Sequence, residues 1–283
     1  MTIKKQSEVK IRARKMGNLF FEEYAFSPGK AEPLPAHSHL EYQIGLAVDT
    51  CGRYEYRGSS LTAPQMTLSV IHSGAIHQPA KENFLENFCR YRILYVSPEV
   101  LMESACEIGW RKSGELPFFP EFNISNAELT KKFINLYKNA DSGCEKLTFD
   151  VAQTEFLDYL VRFFSQIGNK DKKIKTLPQA IKVAREYLDA NFTRQISLAE
   201  LAQVAGLSKY HFCRTFRETV GVSPHVYQNH LRLNQAKKLL AQKSSLADVA
   251  YEVGFYDQSH FGRHFKDFSG VTPRMYSHSA IFS

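Results

Sequence analysis

The pattern of apolar and polar positions in the last third of the chain occurs twice. Residues 197–227 and 245–276 each place alanines and aliphatic residues at helical spacing, then a glycine, and then two phenylalanines. The matching pairs are Ala202 and Ala250, Gly206 and Gly254, Phe212 and Phe261, Phe216 and Phe265, Gly221 and Gly270, Pro224 and Pro273, and Tyr227 and Tyr276. Such a dense internal repeat indicates two copies of one structural unit. Each copy predicts a short helix, a tight glycine turn and a second helix with an exposed polar face, which is a helix-turn-helix. Ser197, Ser208 and Ser245 are capping residues at predicted helix starts in these units.

A long helix is predicted between the two units. Ser223 is a capping residue, Pro224 suits the first helical position, and apolar residues continue at helical spacing to about Gln242. At 1.5 Å per residue this helix would be roughly 28 Å long, against about 34 Å for one turn of duplex DNA. It therefore has the length to hold two recognition helices in successive major grooves on one face of the duplex.

Short runs of alternating apolar and polar residues, separated by turn residues, fill the region from Leu19 to Ser97. The runs cover 20–26, 39–48, 53–56, 66–72 and 87–96, and they are rich in Tyr, Phe, Val and Ile. This pattern predicts an antiparallel β-barrel or sandwich. The polar, basic residues 1–18 are predicted to form a mobile arm before it.

Helical periodicity begins after the last of these runs. A capping serine, a proline and an acidic residue at 97–99 predict one helix start, and Ser125 with Glu128 forms a capping box with Ile124 as its staple. A further helix is predicted over 146–167. Its apolar stripe contains Val151, Phe156, Leu157, Leu160, Phe163, Phe164 and Ile167. One edge of this wide stripe can cover the β-domain, and the other either packs within the chain or forms a homodimer contact.

Charge is distributed unevenly along the 283 residues, a length that suits two domains. From residue 169 onward there are 17 Lys and Arg against 9 Asp and Glu, whereas the residues before it hold 19 basic and 20 acidic side chains. The short charged segment 169–176 is interpreted as a linker between domains over 1–168 and 177–283. The basic domain suggests a polyanionic partner, and the near-neutral one suggests an uncharged or small partner.

The cysteines and the N-terminus bear on the compartment. Five cysteines are scattered without a C-x-x-C pair, which argues against a disulfide framework and against a structural zinc cluster. The basic N-terminus is not followed by the apolar run of a secretory signal, and no apolar window is long enough to span a membrane. These features predict a cytoplasmic protein without membrane association.

The second helix of each repeated unit has a polar outward face. The predicted base-reading residues are Tyr210, Cys213 and Arg214 in the first unit and Gln258, Ser259 and Arg263 in the second. Arg214 and Arg263 occupy equivalent places, and a guanidinium can bond O6 and N7 of guanine together. Lys209, Arg217 and Lys266 lie on the flanks and are predicted to neutralise phosphates. The alternative for each residue is a solvated surface position. Because the two sets differ, one chain should read two unlike half-sites.

A histidine pattern marks the predicted β-domain. His37, His39 and Glu41 alternate on one face of a predicted strand, and His77 follows after a turn. H-x-H followed by a third histidine resembles the metal-binding pattern of cupin barrels. The usual carboxylate several residues beyond the second histidine is displaced, because Glu41 lies only two residues after His39. His37, His39, Glu41, Tyr42 and His77 are therefore predicted to line an effector pocket, with no metal, cofactor or catalytic residue.

Four motifs in the second half are specific to one family. They are Arg232-Leu233-x-x-Ala236-x-x-Leu239-Leu240, Asp248-Val249-Ala250-x-x-Val253-Gly254-Phe255, Ser259-His260-Phe261-x-Arg263-x-Phe265-Lys266 and Gly270-x-Thr272-Pro273. Through them, roughly residues 177–280 resemble the DNA-binding domain of the AraC family of bacterial transcription regulators. The first half resembles, more weakly, the cupin-like effector domain common in that family, through His37-x-His39-x-x-Tyr42 and residues 94–99. It departs from the family at Gln65, where a turn glycine is frequent.

The resemblance implies a multidomain α and β protein. Its N-terminal part would be an antiparallel cupin-like β-barrel with following helices, and its C-terminal part an all-α domain in which a long helix joins two helix-turn-helix motifs. The implied function is sequence-specific regulation of transcription, most often activation, under control of a small-molecule effector. The expected partners are promoter DNA, the effector, RNA polymerase and a second copy of the chain.

Two other classes of protein stay open at this point. A metal-dependent cupin enzyme fused to a DNA-binding module would hold stoichiometric zinc, iron or manganese at His37, His39 and His77. A methyl-accepting DNA-repair regulator can carry a similar DNA-binding half, but it needs a cysteine–zinc centre that the scattered cysteines do not provide. The sequence identifies neither the effector nor the operator, and it leaves the sign of regulation open.

Overall fold

A computed structural model describes residues 6–31, 34–79, 84–109, 116–166, 178–242 and 244–279. The strands are β1 (Val9–Met16), β2 (Leu19–Phe26), β3 (Tyr42–Ala47), β4 (Gly52–Tyr56), β5 (Ser59–Ala63), β6 (Leu68–Ile71), β7 (His77–Pro79), β8 (Cys89–Val96) and β9 (Asn123–Ile124). The helices are α1 (Pro98–Glu107), α2 (Ala127–Ser142), α3 (Lys146–Phe164), α4 (Gln179–Asn191), α5 (Leu198–Val204), α6 (Lys209–Val220), α7 (Pro224–Ala241), α8 (Leu246–Glu252), α9 (Gln258–Ser269) and α10 (Pro273–Ser279). The predicted linker 169–176 lies outside the described residues.

The strands form two antiparallel sheets, as the alternating pattern predicted. The larger sheet has the order β1-β2-β8-β3-β6-β9, and the smaller one has the order β5-β4-β7. The larger sheet is open, with β1 and β9 at its edges, so the predicted barrel is not closed. The arrangement stays broadly cupin-like, and every residue of the central strand β3 is buried.

The N-terminal residues include a strand, so the prediction of a mobile arm over 1–18 is wrong for this part. β1 pairs with β2 along its whole length, from Val9 opposite Phe26 to Met16 opposite Leu19. Ile11 is 2% exposed and its neighbour on the same face is also buried. The basic residues Lys10 and Arg12 on the other face are exposed, whereas Arg14 bonds to residues at the end of α2. The abundance of basic residues hid the strand pattern in the sequence.

Helices α1, α2 and α3 pack on the larger sheet and complete its core. Phe21 of β2 packs edge-to-face against Tyr137 of α2 and Phe149 of α3. The exposed edge of α3 carries Leu147 and Phe163, which are 73% and 61% exposed. The wide apolar stripe predicted for this helix is therefore only partly covered within the chain.

Two predicted helix boundaries in this region are displaced. The N-cap of α2 is Asn126, whose side-chain oxygen accepts a hydrogen bond from the backbone N of Leu129 at 2.8 Å. The predicted Ser125–Glu128 capping box is therefore not formed, because an asparagine is as good an N-cap and lies one residue later. Helix α3 ends at Phe164, three residues before the predicted end.

Helices α5, α6, α7 and α8 begin where their capping serines predict. Ser197, Ser208, Ser223 and Ser245 each accept a hydrogen bond from the backbone N three residues on, at 3.1 to 3.4 Å. Gly206 and Gly254 take left-handed conformations with φ of 66° and 87°, so each unit turns at its glycine. None of the described helices is long and apolar enough to cross a lipid bilayer.

The departure from the family pattern near Gln65 falls in the connection between β5 and β6. Met66 takes a left-handed conformation with φ of 59°, and the Gln65 side chain donates a hydrogen bond to the Val48 carbonyl at 3.1 Å. A non-glycine residue thus occupies the strained turn position, one residue after the expected place.

The second helix-turn-helix unit packs directly on the larger sheet. One hydrophobic cluster joins Ile11, Tyr24 and Tyr95 of the sheet to Phe261 and Phe265 of α9. The first unit has its own core around α4, α5 and α6, which the side chains of Leu40 and Ile76 from the β-domain also contact. The effector domain predicted from the sequence therefore touches both units.

Candidate functional site: a helix-turn-helix surface and an interdomain cavity

The outer faces of α6 and α9 present most of the predicted DNA-contacting residues to solvent. The side chains of Phe212 and Phe216 on α6, and the equivalent pair on α9, are fully buried and fix which face points outward. Lys209, Tyr210, Arg214, Arg217, Gln258, Ser259, Arg263 and Lys266 are exposed, and Cys213 is half-buried. Asp257, which precedes this set, is the N-cap of α9, and its carboxylate accepts a hydrogen bond from the backbone N of His260 at 2.7 Å.

The two equivalent arginines have different surroundings. Arg214 donates a hydrogen bond from Nε to the Glu218 carboxylate at 2.8 Å, one helical turn along α6. This pairing raises the pKa of the Arg214 guanidinium. The position one turn after Arg263 holds Asp267, which is one methylene shorter. Both partners of the first pair are exposed, so the pair contributes little to stability.

Arg232, the first residue of one family motif, is a structural residue. It is 8% exposed and donates hydrogen bonds to the carbonyls of Phe192 and Arg194 at 2.8 and 3.0 Å, in the loop after α4. Gln228 donates to the same two carbonyls. The Arg232 guanidinium also lies over the ring of Phe255, 5.8 Å from its centroid. Arg232 therefore ties the two units to the helix between them.

A cavity of about 130 Å³ lies between the β-domain and the second unit. Lys237 of α7 and Phe268 of α9 contribute to its wall from the helical side. The β-domain supplies aromatic and aliphatic side chains, including Tyr24, Phe26, Tyr54, Tyr91, Ile93 and Tyr95, and it supplies Gln43, His37 and His77 as polar groups. A ligand in this cavity would therefore contact both domains at once.

The predicted effector-pocket residues are divided among several places. His37 and His77 line the cavity, with ring centroids 4.3 Å apart. His39 lies beside them but uses both ring nitrogens within the protein, with the Glu41 carbonyl at 2.7 Å and the Gln43 side-chain oxygen at 3.1 Å. The Glu41 carboxylate is directed away, toward the Lys238 ammonium in α7.

Tyr42, the fifth predicted pocket residue, belongs to the β-domain core. Its hydroxyl donates a hydrogen bond to the Pro117 carbonyl at 3.0 Å, and its ring packs against His72 and Phe119. Burial raises the pKa of the Tyr42 hydroxyl well above its usual range. Its side chain therefore serves the packing of the sheet.

The three histidines of this region all have lowered pKa values. Burial lowers the pKa of His37 to about 3 and lowers the pKa of His77 well below its usual value. Burial also lowers the pKa of His39, against the opposing effect of Glu41. Across the parts of the chain that the structure describes, no group of three His, Cys, Asp or Glu side chains is disposed to hold a metal ion.

A fully buried carboxylate joins the two domains beside the cavity. Glu22 of β2 is 0% exposed, and its carboxylate accepts hydrogen bonds from the hydroxyls of Tyr24 and Tyr95 at 3.1 and 2.9 Å. The Lys237 ammonium lies 3.2 Å from the same carboxylate, and the Tyr276 hydroxyl of α10 donates to its other oxygen. The last two groups come from the helical part, so this carboxylate is bonded across the domain boundary.

The electrostatics of this cluster follow from its burial. Burial raises the pKa of Tyr24, Tyr95 and Tyr276 well above the usual value, and the Glu22 charge adds to the shift in each case. The three hydroxyls therefore remain protonated donors. Lys237 is 6% exposed, and its ammonium also contacts the faces of the Tyr24 and Phe268 rings. The ion pair is thus enclosed by aromatic side chains that also border the cavity.

Sequence reasoning missed Glu22 and Lys237. Glu22 stands in the run Leu19–Phe26 beside Glu23; because neighbouring residues of a strand face opposite sides, one of these two carboxylates had to face the core and need a partner. Lys237 follows Ala236 of a family motif and was counted only in the positive charge of the second half. The partner of each lies more than 200 residues away in the sequence, so the pairing itself could not be seen.

Comparison with known proteins matches this architecture. A family model described as a helix-turn-helix domain matches residues 201–279. An uncharacterised HTH-type transcriptional regulator of Bacillus subtilis, YbfI, is 29% identical over 252 residues, covering 86% of each chain. The HTH-type transcriptional activator RhaS of an Enterobacter species is 24% identical over 263 residues, covering 88% of this chain and 91% of its own.

Solved structures share the two-domain fold. ToxT from Vibrio cholerae superposes with a TM-score of 0.58 at 10% identity, covering 97% of this chain and 98% of its own. A structure of ToxT with a bound unsaturated fatty acid gives a TM-score of 0.56 at 15% identity, covering 96% of this chain and 95% of its own. At these identities the likeness concerns the fold.

Proposed function

The chain belongs to the AraC family of transcriptional regulators, and we propose that a small molecule bound in the interdomain cavity controls how its helix-turn-helix units engage promoter DNA. The observation that carries this proposal is the composition of the cavity wall, which takes residues from both domains. A ligand that fits one relative position of the domains better than another shifts the population toward it.

The DNA-reading role is assigned to the exposed faces of α6 and α9. Arg214 and Arg263 hold equivalent places on them and would bond guanine edges in the major groove, with Gln258 suited to adenine. Lys209, Arg217 and Lys266 would neutralise phosphates at the flanks. Tyr210, Cys213 and Ser259 would complete the contacts to bases. Support comes from the burial of the opposite helix faces, which leaves these side chains toward solvent.

The Glu22–Lys237 pair is assigned as the coupling element between cavity and DNA. Three side chains line the cavity and also form hydrogen bonds around the Glu22 carboxylate: Tyr24, Tyr95 and Lys237. A ligand that shifts any of them would therefore alter the contact between the sheet and α7. Helix α7 in turn connects the two DNA-binding units. A shift of a cavity side chain would therefore reach both DNA-binding units through α7 alone.

Activation, dimerisation and contact with RNA polymerase are further parts of the proposal. A relative named as a transcriptional activator supports activation. The exposed edge of α3, with Leu147, Val151 and Phe163, supports a contact with a second copy of the chain. Sedimentation of the full chain should then show a dimer that Val151→Lys converts to a monomer. A protein of this kind would act in the cytoplasm, where promoter DNA is.

The control by a ligand is tested by filling the cavity. Binding sites are first selected from genomic DNA with the full chain, and their affinity is measured by fluorescence anisotropy with and without a library of small metabolites. Ile93→Trp places a large ring in the cavity, and Ile134→Trp places the same ring on α2, away from it. We expect Ile93→Trp alone to abolish the ligand response. If no compound changes DNA affinity, or if Ile93→Trp responds as the wild type does, control through this cavity is refuted.

A further inference from the structure

Two histidines lie one helical turn apart on α9. Residues four positions apart share one face of a helix, and Nε2 of His260 lies 2.9 Å from Nε2 of His264. The ring centroids are 4.5 Å apart, and the ring planes are nearly perpendicular, at 87°. The equivalent positions of the first unit hold His211 and Thr215. Of the two units, the second alone therefore carries the imidazole pair.

The neighbours of the pair position both rings at the surface of the helix. Phe255 is 5% exposed, and its ring centroid lies 5.6 Å from that of His260 and 5.9 Å from that of His264. Both histidines keep part of their surface exposed, and the adjacent Arg263 and Asp267 on the same side of α9 are exposed. This side of α9 is therefore accessible from solution.

The distance between the two nitrogens suits a chelated metal ion. Zinc binds an imidazole nitrogen at about 2.0–2.1 Å, so two such nitrogens are about 2.9 Å apart at a coordination angle of about 90° and about 3.3 Å apart at a tetrahedral angle. The observed separation agrees with the first value, and a small rotation of either ring reaches the second. Two histidines at this spacing on one helix face also form the zinc site of helical H-x-x-x-H motifs. A metal ion would take the place of the hydrogen that the two Nε2 atoms share, with both rings in the Nδ1–H tautomer.

The surroundings of the pair favour the metal-binding form of His264. Burial lowers the pKa of this imidazole, and the His260 ring lowers it further. His225 at the start of α7 and Arg263 act in the same direction, whereas the Asp267 carboxylate opposes them. An imidazole binds a metal ion only in its neutral form. The lowered pKa therefore reduces the competition between protons and a metal ion at this site.

The two imidazole ligands define the class of ion. Across the described residues, no third His, Cys, Asp or Glu completes a metal-binding group with this pair, so water would fill the remaining coordination positions. Calcium and magnesium prefer oxygen ligands, whereas imidazole suits zinc, copper and nickel. The pair therefore favours a divalent ion from the end of the first transition-metal row.

We propose that His260 and His264 chelate one divalent nickel, copper or zinc ion at the surface of α9, and that this ion strengthens the binding of DNA. The effect on DNA rests on the proposed DNA-reading role of the helix. With about 3.6 residues per turn, Arg263 projects between the imidazole pair and Lys266, so the pair occupies the other flank of α9. A recognition helix in the major groove has a phosphate backbone on each side. Two positive charges added on this flank attract the phosphates there.

Isothermal titration calorimetry of the full chain with nickel chloride tests the site. We expect one ion per chain, with a dissociation constant in the micromolar range. His260→Gln and His264→Gln should each weaken binding by at least about tenfold, because the remaining imidazole loses the advantage of a linked second ligand. The matched control is His211→Gln in the first unit, which should leave binding unchanged. No binding at millimolar nickel, or variants of the pair that bind as the control does, overturns the proposal.

The repeat also supplies a gain-of-function test. Thr215→His places a second imidazole four residues after His211, at the position equivalent to His264. This variant should bind two nickel ions per chain, and combining it with His264→Gln should return the number to one. If Thr215→His adds no ion, the argument from the spacing of the two imidazoles is wrong.

A spectroscopic readout on the wild-type chain does not depend on the folding of a variant. Zinc is diamagnetic, so nitrogen NMR of the histidine-labelled protein can follow each ring as zinc is added. The Nε2 resonances of His260 and His264 should shift together, while that of His211 stays in place. Shifts confined to other histidines would place the ion elsewhere and overturn the proposal.

The effect on DNA is measured separately by fluorescence anisotropy. At low salt, nickel should raise the affinity of the wild-type chain for its selected DNA by about threefold or more, with a smaller rise at higher salt. His264→Gln at the same nickel concentration should show no rise. An unchanged affinity of the nickel-loaded wild type overturns the effect on DNA. A metal-free chain that binds no promoter DNA would instead refute the proposed function and leave the metal site standing.

Discussion

Glu22→Gln tests the buried connection between the two domains. The substitution keeps the size of the side chain but removes the negative charge that faces Lys237 and three tyrosine hydroxyls. Because Glu22 is 0% and Lys237 is 6% exposed, water cannot replace the lost partner. Breaking such a buried pair by removing one member costs about 3–5 kcal/mol. The free energy of unfolding should fall by that amount.

The companion substitution Lys237→Met removes the other charge. Glu22 then retains its three tyrosine donors, so we expect a smaller loss of about 1–3 kcal/mol, as for a lost hydrogen bond to a charged group. The double variant leaves no unpaired charge in the interface. It should be more stable than Glu22→Gln alone, with a coupling energy between the two positions of about 2 kcal/mol or more.

Urea unfolding followed by circular dichroism gives all four free energies of this cycle. Lys182→Met, which removes the exposed partner of Glu186 one turn along α4, is the control and should lower stability by no more than about 1 kcal/mol. A coupling energy near zero between Glu22 and Lys237, or a loss below about 1 kcal/mol for Glu22→Gln, would show that the pair does not hold the domains together.

Three further predictions follow from individual positions. Gly206→Ala should cost about 1–2 kcal/mol of stability because of the positive φ at this position. Gly254→Ala should cost more, because there the added Cβ would also overlap a backbone carbonyl of the loop after α4. Thermal unfolding of both variants checks this, and equal losses would contradict it. Arg263→Ala should weaken specific DNA binding about tenfold more than non-specific binding, whereas Lys266→Ala should weaken both alike; equal effects on both in the first variant would refute base reading. Burial lowers the pKa of His230 to about 4, so as the pH falls the unfolded chain binds a proton at this residue before the folded chain does, and stability is lost below about pH 6.5. His230→Leu should reduce the slope of the unfolding free energy against pH, between about pH 6.5 and 5, by the amount that corresponds to about one bound proton. An unchanged slope would mean that this imidazole is not buried in its neutral form.

Much of the fold followed from local sequence signals. The serines at 197, 208, 223 and 245 predicted helix starts because a side-chain oxygen satisfies a backbone N–H that the helix leaves unpaired. The alternating runs predicted strands because successive side chains of a strand point to opposite faces, although both faces of β3 proved to be buried. Both kinds of signal depend on residues a few positions apart, and they were reliable where no competing signal stood nearby.

The errors have equally local causes. β1 was missed because its few buried side chains alternate with long basic ones. Such a pattern is also typical of a solvated arm, and only the pairing with β2 distinguishes the two. The start of α2 was displaced by one residue because Ser125 and Asn126 are both good N-caps, and only the hydrogen bond to Leu129 decides between them. Whether a sheet closes into a barrel depends on which strands meet at its edges, which no local pattern specifies.

The residues of the candidate site also differ in how far local sequence patterns predicted them. Repetition showed which side chains of α6 and α9 face outward, since the buried phenylalanines fix each helix face. The cavity was only partly predicted, because His37 and His77 were found by their type whereas the aromatic walls and Lys237 come from five different strands and helices. Glu22 could not be assigned a role, because its partners in α7 and α10 become neighbours only in the folded chain.

The structure also indicates which movement an effector can control. Helix α7 is continuous over 18 residues, and Arg232 bonds it to the loop of the first unit while contacting Phe255 of the second. The distance between the two recognition helices within one chain is therefore set by the continuous helix α7 and by the contacts of Arg232. Arg232 does not line the cavity. Lys237 lies on the same helix and does border the cavity. A ligand acting through it moves α7 with both units attached, so we expect it to change the placement of the whole DNA-binding part relative to the β-domain, and to leave the distance between the two half-sites unchanged.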